Sequence, residues 1–89
     1  MTIKRWAARR DDNESGIVND LRKVGAKVYP MSKPCDLLVR FAGRLYLMEV
    51  ANPENKYRQR EEAQMKFLNE WEVPIVRTAD EAFRIIGAL

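Results

Sequence analysis

The feature that most constrains this chain is a pair of apolar runs joined by two turn residues. Asp36-Leu-Leu-Val-Arg-Phe41 and Arg44-Leu-Tyr-Leu-Met-Glu-Val50 flank Ala42-Gly43. Runs rich in aliphatic, β-branched and aromatic residues around a glycine-containing dipeptide read as a β-hairpin. The turn sets the register: Phe41 faces Arg44, Leu38 faces Leu47 and Asp36 faces Glu49. Directly opposed residues on antiparallel strands point to one face, with Cβ atoms ~5 Å apart. A four-residue loop gives the same pairing, whereas a three-residue loop breaks it.

That register sets two carboxylates against each other with no cation beside them in the ladder. The arrangement is destabilising unless something neutralises it, and a divalent cation with oxygen ligands does so well. The other reading is that Asp36 and Glu49 sit exposed at frayed strand ends and are unrelated. Strand alternation puts residue 51 on the same face as Glu49. That residue is Ala51.

The rest of the chain frames this hairpin. A helix is predicted from about Asn13 to Val24, capped by Asp12 or Asn13 and stopped by Gly25. Its apolar face is Ile17, Val18, Leu21 and Val24. Glu14 projects from the first turn of that face, as a third carboxylate for the site or simply as a favourable charge near the helix N-terminus. Ala26 to Tyr29 reads as a short strand and Pro30 to Pro34 as a loop, and Asn52-Pro53 ends the hairpin. A second helix is predicted from about Tyr57 to Trp71, with Gln64, Phe67, Leu68 and Trp71 on one face. Gln64 either adds a polar group to the site or leaves its amide in solvent. Pro74 to Arg77 is a final strand. Thr78 and Glu81 form a capping box for a last helix ending near Gly87, with Ala79, Ala82, Phe83 and Ile86 as its packing face. The fold class is α/β, in the order αβββαβα, a mixed sheet flanked by helices.

Composition narrows the chemistry. A chain of 89 residues, 46% of them hydrophobic, is one domain with a modest core, and such a domain gains from a partner subunit. No apolar run is long enough to span a bilayer. Trp6 to Ala8 is flanked by arginines, which is not a secretory signal, so a cytoplasmic location is expected. The single cysteine, Cys35, excludes a disulfide framework and a cysteine zinc site within one chain. The absence of histidine removes the commonest general base and transition-metal ligand. A metal here must be held by carboxylates and carbonyls, which favours Mg²⁺ or Mn²⁺. The net charge is +3, and Lys4, Arg5, Arg9 and Arg10 crowd the first ten residues around Trp6. That stretch reads either as a solvated, partly disordered arm or as one that contacts phosphates.

The stretch from Asp36 to Arg40, then Gly43-Arg-Leu-Tyr-Leu-Met-Glu49-Val-Ala51-Asn-Pro, resembles a known core. It is that of the virus-type replication-repair nuclease (VRR-NUC) domains of the PD-(D/E)xK superfamily, the small stand-alone phage members in particular. Their core runs Pro-Asp, an apolar strand, a Gly-Arg turn and Glu-Val-Lys. The resemblance extends upstream to Arg9-Arg-Asp-Asp-Asn-Glu14, Ile17-Val18 and Leu21-Arg22. Downstream it includes Gln64, Phe67, Trp71, Val73-Pro-Ile-Val76 and Asp80-Glu-Ala82, so it covers the chain from about Arg9 onward. The Asp…Glu-x-Lys pattern alone is weak, but the full ordered set is much more specific. Two positions depart from it: Cys35 stands at the motif proline and Ala51 at the motif lysine.

The resemblance implies a restriction-endonuclease-like core and a Mg²⁺- or Mn²⁺-dependent endonuclease acting on branched DNA such as Holliday junctions. It implies Asp36, Glu49 and the Val50 carbonyl as metal ligands, with Glu14 as a further one, and Gln64 in the catalytic site. Lys4, Arg5, Arg9, Arg10, Lys33 and Lys56 are its candidate DNA contacts. Cleavage would leave a 5′-phosphate and a 3′-hydroxyl. Symmetric cutting of a junction needs two sites, which implies a homodimer, and the family implies a phage or prophage origin in a bacterial host cell. The motif lysine positions or activates the attacking water and offsets charge at the phosphate. A methyl group does neither, and Lys56 or Lys66 would have to reach in from elsewhere. The expectation is therefore an endonuclease impaired at Ala51. Its rivals are a catalytically inactive module that still binds branched DNA, and a structural or protein-interaction domain with surface carboxylates.

Overall fold

The computed structural model describes the backbone of residues 2–51 and 60–89 and the side chains of residues 13–51 and 60–89. The first element, α1 (Thr2–Lys23), begins well before the expected start near Asn13. The basic stretch read as an arm thus has helical backbone continuous with α1, and Asn13 lies inside a helix rather than at its cap. Ile17, Val18 and Leu21 are buried at helical spacing. Val24 is not part of that face: α1 ends at Lys23, the chain turns at Gly25 (φ 94°), and Val24 is left 39% exposed. The turn is closed by the Ala26 N–H on the Leu21 carbonyl at 3.1 Å.

Three antiparallel strands follow, β1 (Lys27–Pro30), β2 (Leu37–Phe41) and β3 (Arg44–Val50). Phe41 pairs with Arg44 and Leu38 with Leu47, the register set by the turn residues. Ala42 and Gly43 have φ of 53° and 79°, the left-handed pair that a two-residue type I′ hairpin requires. β2 begins at Leu37, one residue later than expected. Asp36 nevertheless keeps the strand alignment, because its carbonyl accepts the Met31 N–H at 2.6 Å, one rung beyond the Pro30–Leu37 pair.

The chain returns through α2 (Glu62–Glu70) to β4 (Ile75–Val76), which pairs parallel with β3, and ends in α3 (Ala79–Ile86). Arg60 and Glu61 precede α2, and the expected start near Tyr57 lies outside the described residues. Trp71 departs from the expected packing face. It is the C-cap of α2, 66% exposed, and stacks on Phe67 at 5.6 Å between ring centroids. α3 is capped as its sequence requires: Thr78 Oγ1 accepts the Glu81 N–H at 3.2 Å, while Glu81 Oε1 accepts the Arg77 N–H at 2.6 Å. Gly87 (φ 80°) ends it in the left-handed region.

The result is a small α/β domain with a mixed four-stranded sheet, order β1-β2-β3-β4, and three helices among the described residues. Strand alternation separates its two faces. Leu37, Val39, Met48 and Val50 join Ile17, Val18 and Leu21 of α1 and Ala82 and Ile86 of α3 in the main core. Leu47, on the other face, packs with Cys35, Leu68 and Phe67 of α2, and Val73. Among the described residues no helix is long and apolar enough to cross a membrane.

Candidate functional site

Alternation places Asp36 and Glu49 on the α2 side of the sheet, opposite the main core. Neither is a frayed, exposed strand end: Asp36 is 4% exposed and Glu49 fully buried. That burial overturns the reading of the two as exposed strand ends. The Leu37–Met48 pair, carried one step outward, sets Asp36 opposite Glu49. Asp36 Oδ2 accepts the Val50 N–H at 2.8 Å, so the first carboxylate is bound to the peptide that follows the second. The Val50 side chain is in the main core. By strand geometry its carbonyl turns to the same edge as its N–H, towards Asp36.

The strand end carrying Glu49 is tied on two sides. The Glu49 N–H donates to the Pro74 carbonyl and the Ala51 N–H to the Val76 carbonyl, both at 2.9 Å. The Ala51 carbonyl accepts Asn13 Nδ2 at 2.9 Å, which anchors α1 to the end of β3. Ala51 itself is half-buried and, by alternation, its methyl lies on the Glu49 face.

Sequence reasoning missed two of these contacts. Asn13 was expected as a cap; being internal to α1, its amide is free to satisfy a carbonyl 38 residues away. Arg60 was not singled out. Its Nε donates to Glu49 Oε2 at 2.5 Å, and its side chain is 19% exposed. Gln64 Nε2 lies 3.4 Å from the same oxygen. Arg60 stands four residues before Gln64, the spacing that repeats a helix face, and that was the available signal.

The two carboxylates also act on Cys35, which is fully buried. Burial pushes its thiol pKa up, and the charges of Glu49 and then Asp36 raise it further, against a lowering by hydrogen bonds at Leu37 and Met48. Cys35 is thus held as a neutral thiol beside the acidic pair.

The remaining expected residues are distributed as follows. Glu14 is half-buried, one turn before Ile17 and Val18 on the inner stripe of α1 and adjacent in sequence to Asn13. Among the described residues, no group of three or more acidic or cysteine side chains is arranged to hold a metal. Glu14 therefore does not join Asp36 and Glu49 in a three-carboxylate cluster. Lys33 is exposed and pairs with Glu61 at 2.7 Å. Lys66 is exposed. The side chains of Lys4, Arg5, Arg9 and Arg10, and all of Lys56, lie outside the described residues. Beside Gln64 opens a cleft of about 400 Å³, lined by Lys33, Pro34, Glu61, Ala63, Gln64 and Phe67.

The donor set fits a hard divalent cation of the open kind. Mg²⁺ is commonly held by one or two carboxylates and completed by water and substrate phosphate, and two adjacent buried carboxylates meet that requirement. Comparison with family models, with curated proteins and with solved structures gave no match.

Proposed function

We propose that this chain is a metal-dependent endonuclease for branched DNA, with a restriction-endonuclease-like core of the virus-type replication-repair kind. The observation that carries the reading is the buried, directly opposed pair Asp36 and Glu49 at the open end of the hairpin. Two adjacent carboxylates are a donor set that a hard divalent cation takes, and phosphodiester hydrolysis is a reaction for which such a cation is useful.

In this reading Asp36 and Glu49 hold Mg²⁺ or Mn²⁺, with the Val50 carbonyl as a third donor and Glu14 acting at the edge of the site. The ion, when bound, polarises a phosphate oxygen and lowers the pKa of water. The Val50 N–H fixes the Asp36 carboxylate, and the Pro74 and Val76 carbonyls fix the backbone around Glu49, so neither ligand has to be ordered on binding. Gln64 presents its amide to Glu49 and borders the cleft, where it would meet the substrate. The basic residues Lys4, Arg5, Arg9, Arg10, Lys33 and Lys56 supply phosphate contacts without base readout. Two sites acting on a four-way junction require a two-fold homodimer.

A second reading is favoured by Ala51. A methyl group on the ligand face cannot hold water or a phosphate charge, so the domain would bind branched DNA without cutting it. The test is cleavage of a labelled four-way junction in Mg²⁺ and in Mn²⁺. The endonuclease reading expects cutting that stops on chelation and in both Asp36→Ala and Glu49→Ala. Cutting that survives both substitutions would sink it. Tight, salt-sensitive junction binding with no cutting in either ion selects the binding module.

A further inference from the structure

Glu49 is fully buried, and among the described residues Arg60 brings a cation to its carboxylate from outside the β-ladder. We propose that Arg60 is this site's own exchangeable cation: it neutralises Glu49 while no divalent ion is bound, and turns to the scissile phosphate when one is. The proposal rests on the metal-site reading above and adds to it the source of the positive charge that Ala51 does not supply.

Four observations carry it. Arg60 Nε is bonded to Glu49 Oε2, an oxygen of the carboxylate that would hold a metal ion. Two cations at one carboxylate repel, so ion and guanidinium compete. Arg60 precedes α2 and so is not held in the helical hydrogen-bond ladder, which begins with the Met65 N–H on the Glu61 carbonyl. Its side chain keeps 19% of its surface exposed whereas Glu49 keeps none, so the guanidinium has solvent on one side, where a phosphate can approach. Gln64 Nε2 sits 3.4 Å from the same Glu49 oxygen, so a hydrogen-bond donor remains when Arg60 leaves.

The chemistry suits the exchange. A guanidinium stays charged at all working pH values and presents a planar fork of donors that matches a phosphate. On the sheet face below it, residue 51 ends at a methyl group. A long cationic side chain entering from beside α2 can therefore stand where a lysine from β3 would stand.

The test uses the full chain and three readouts. The first is Mn²⁺ affinity by titration calorimetry for wild type, Arg60→Gln, Arg60→Lys and Glu49→Ala. Arg60→Gln keeps a donor for Glu49 but removes the competing charge, so it should bind Mn²⁺ on the order of tenfold more tightly. Arg60→Lys should stay near wild type. The second is four-way junction binding in Ca²⁺, where Arg60→Gln should be weaker and its salt slope shallower by about one. The third needs no substitution: the Arg60 Nε–H resonance of the wild type should shift as Mg²⁺ is added.

Unchanged Mn²⁺ affinity in Arg60→Gln, or an Nε–H resonance that holds its position at saturating Mg²⁺, overturns the exchange. If wild type still binds Mn²⁺ and Glu49→Ala does not, the metal-site reading survives that failure. If wild type binds no Mn²⁺ at all, the reading and the exchange fall together.

Discussion

Asp36 Oδ2 accepts the backbone N–H of Val50 at 2.8 Å, so the carboxylate before β2 holds the peptide directly after Glu49 on β3. That side chain thereby satisfies a buried N–H, and in the proposed reading it is also a metal ligand. The two roles separate by substitution. Asp36→Ala leaves the Val50 N–H without its acceptor and should destabilise the fold by about 1–3 kcal/mol. Asp36→Asn keeps an acceptor and should stay within about 1 kcal/mol of wild type, yet lose Mn²⁺ binding. Urea denaturation and Mn²⁺ titration of the two variants check this. Equal stability losses in both would show that the hydrogen bond is not what Asp36 contributes to folding.

Asn13 carries a comparable structural load at longer range. Its amide reaches the Ala51 carbonyl at 2.9 Å across 38 residues and joins α1 to the strand end that bears Glu49. Asn13→Ala should lower stability by about 1 kcal/mol. Hydrogen exchange should quicken at the amides of Glu49 and Ala51, which bond to the Pro74 and Val76 carbonyls, with little change at the turn end of the hairpin.

The Cys35 thiol gives a pH signature. Its folded pKa lies above its ordinary value because of burial and then the charges of Glu49 and Asp36. The folded state therefore holds the thiol proton more tightly than the unfolded state does. This contribution to stability is fully present below the unfolded thiol pKa, about 8.5, and is lost as pH rises through the raised folded value. Wild type should lose stability with rising pH in that alkaline range more steeply than Cys35→Ala, as measured by denaturation at stepped pH. A cation placed between the two carboxylates opposes their effect, so saturating Mg²⁺ should bring the thiol pKa down.

Position 51 is where the two functional readings part. Ala51→Lys adds the cationic side chain on the Glu49 face, next to the junction of β3 and α1. If the chain is a nuclease weakened at this one position, Ala51→Lys should raise junction cleavage on the order of 10²-fold, the scale of a general acid–base contribution. No gain in either Mg²⁺ or Mn²⁺ supports a dedicated binding module.

The hairpin was legible because two apolar runs flank a short turn, and a two-residue or a four-residue loop gives the same register. With Ala42-Gly43 as the two-residue turn, the pairing of Asp36 with Glu49 followed by counting one step beyond Leu37 and Met48. The last helix was legible for a similar local reason, a capping box at Thr78 and Glu81 with a glycine stop at Gly87. Periodicity failed where tertiary structure decides. Val24 and Trp71 fit apolar stripes by spacing, but each lies at or beyond a helix end, where the chain turns away from the core. The start of α1 was hidden because Asp12 and Asn13 are good cap residues wherever they stand, and only the contact to Ala51 shows the use of Asn13. Arg60 was hidden for a different reason. A basic residue in a polar stretch looks like solvated surface until a buried carboxylate is found beside it.

The most direct test of the central claim, that Asp36 and Glu49 share a divalent ion, is a crystal of the wild-type chain soaked in Mn²⁺ and measured at the manganese edge. The account predicts an anomalous peak at coordination distance from both carboxylates, with Arg60 moved off Glu49. No peak at that position, with the Arg60–Glu49 pair intact at saturating Mn²⁺, would contradict it.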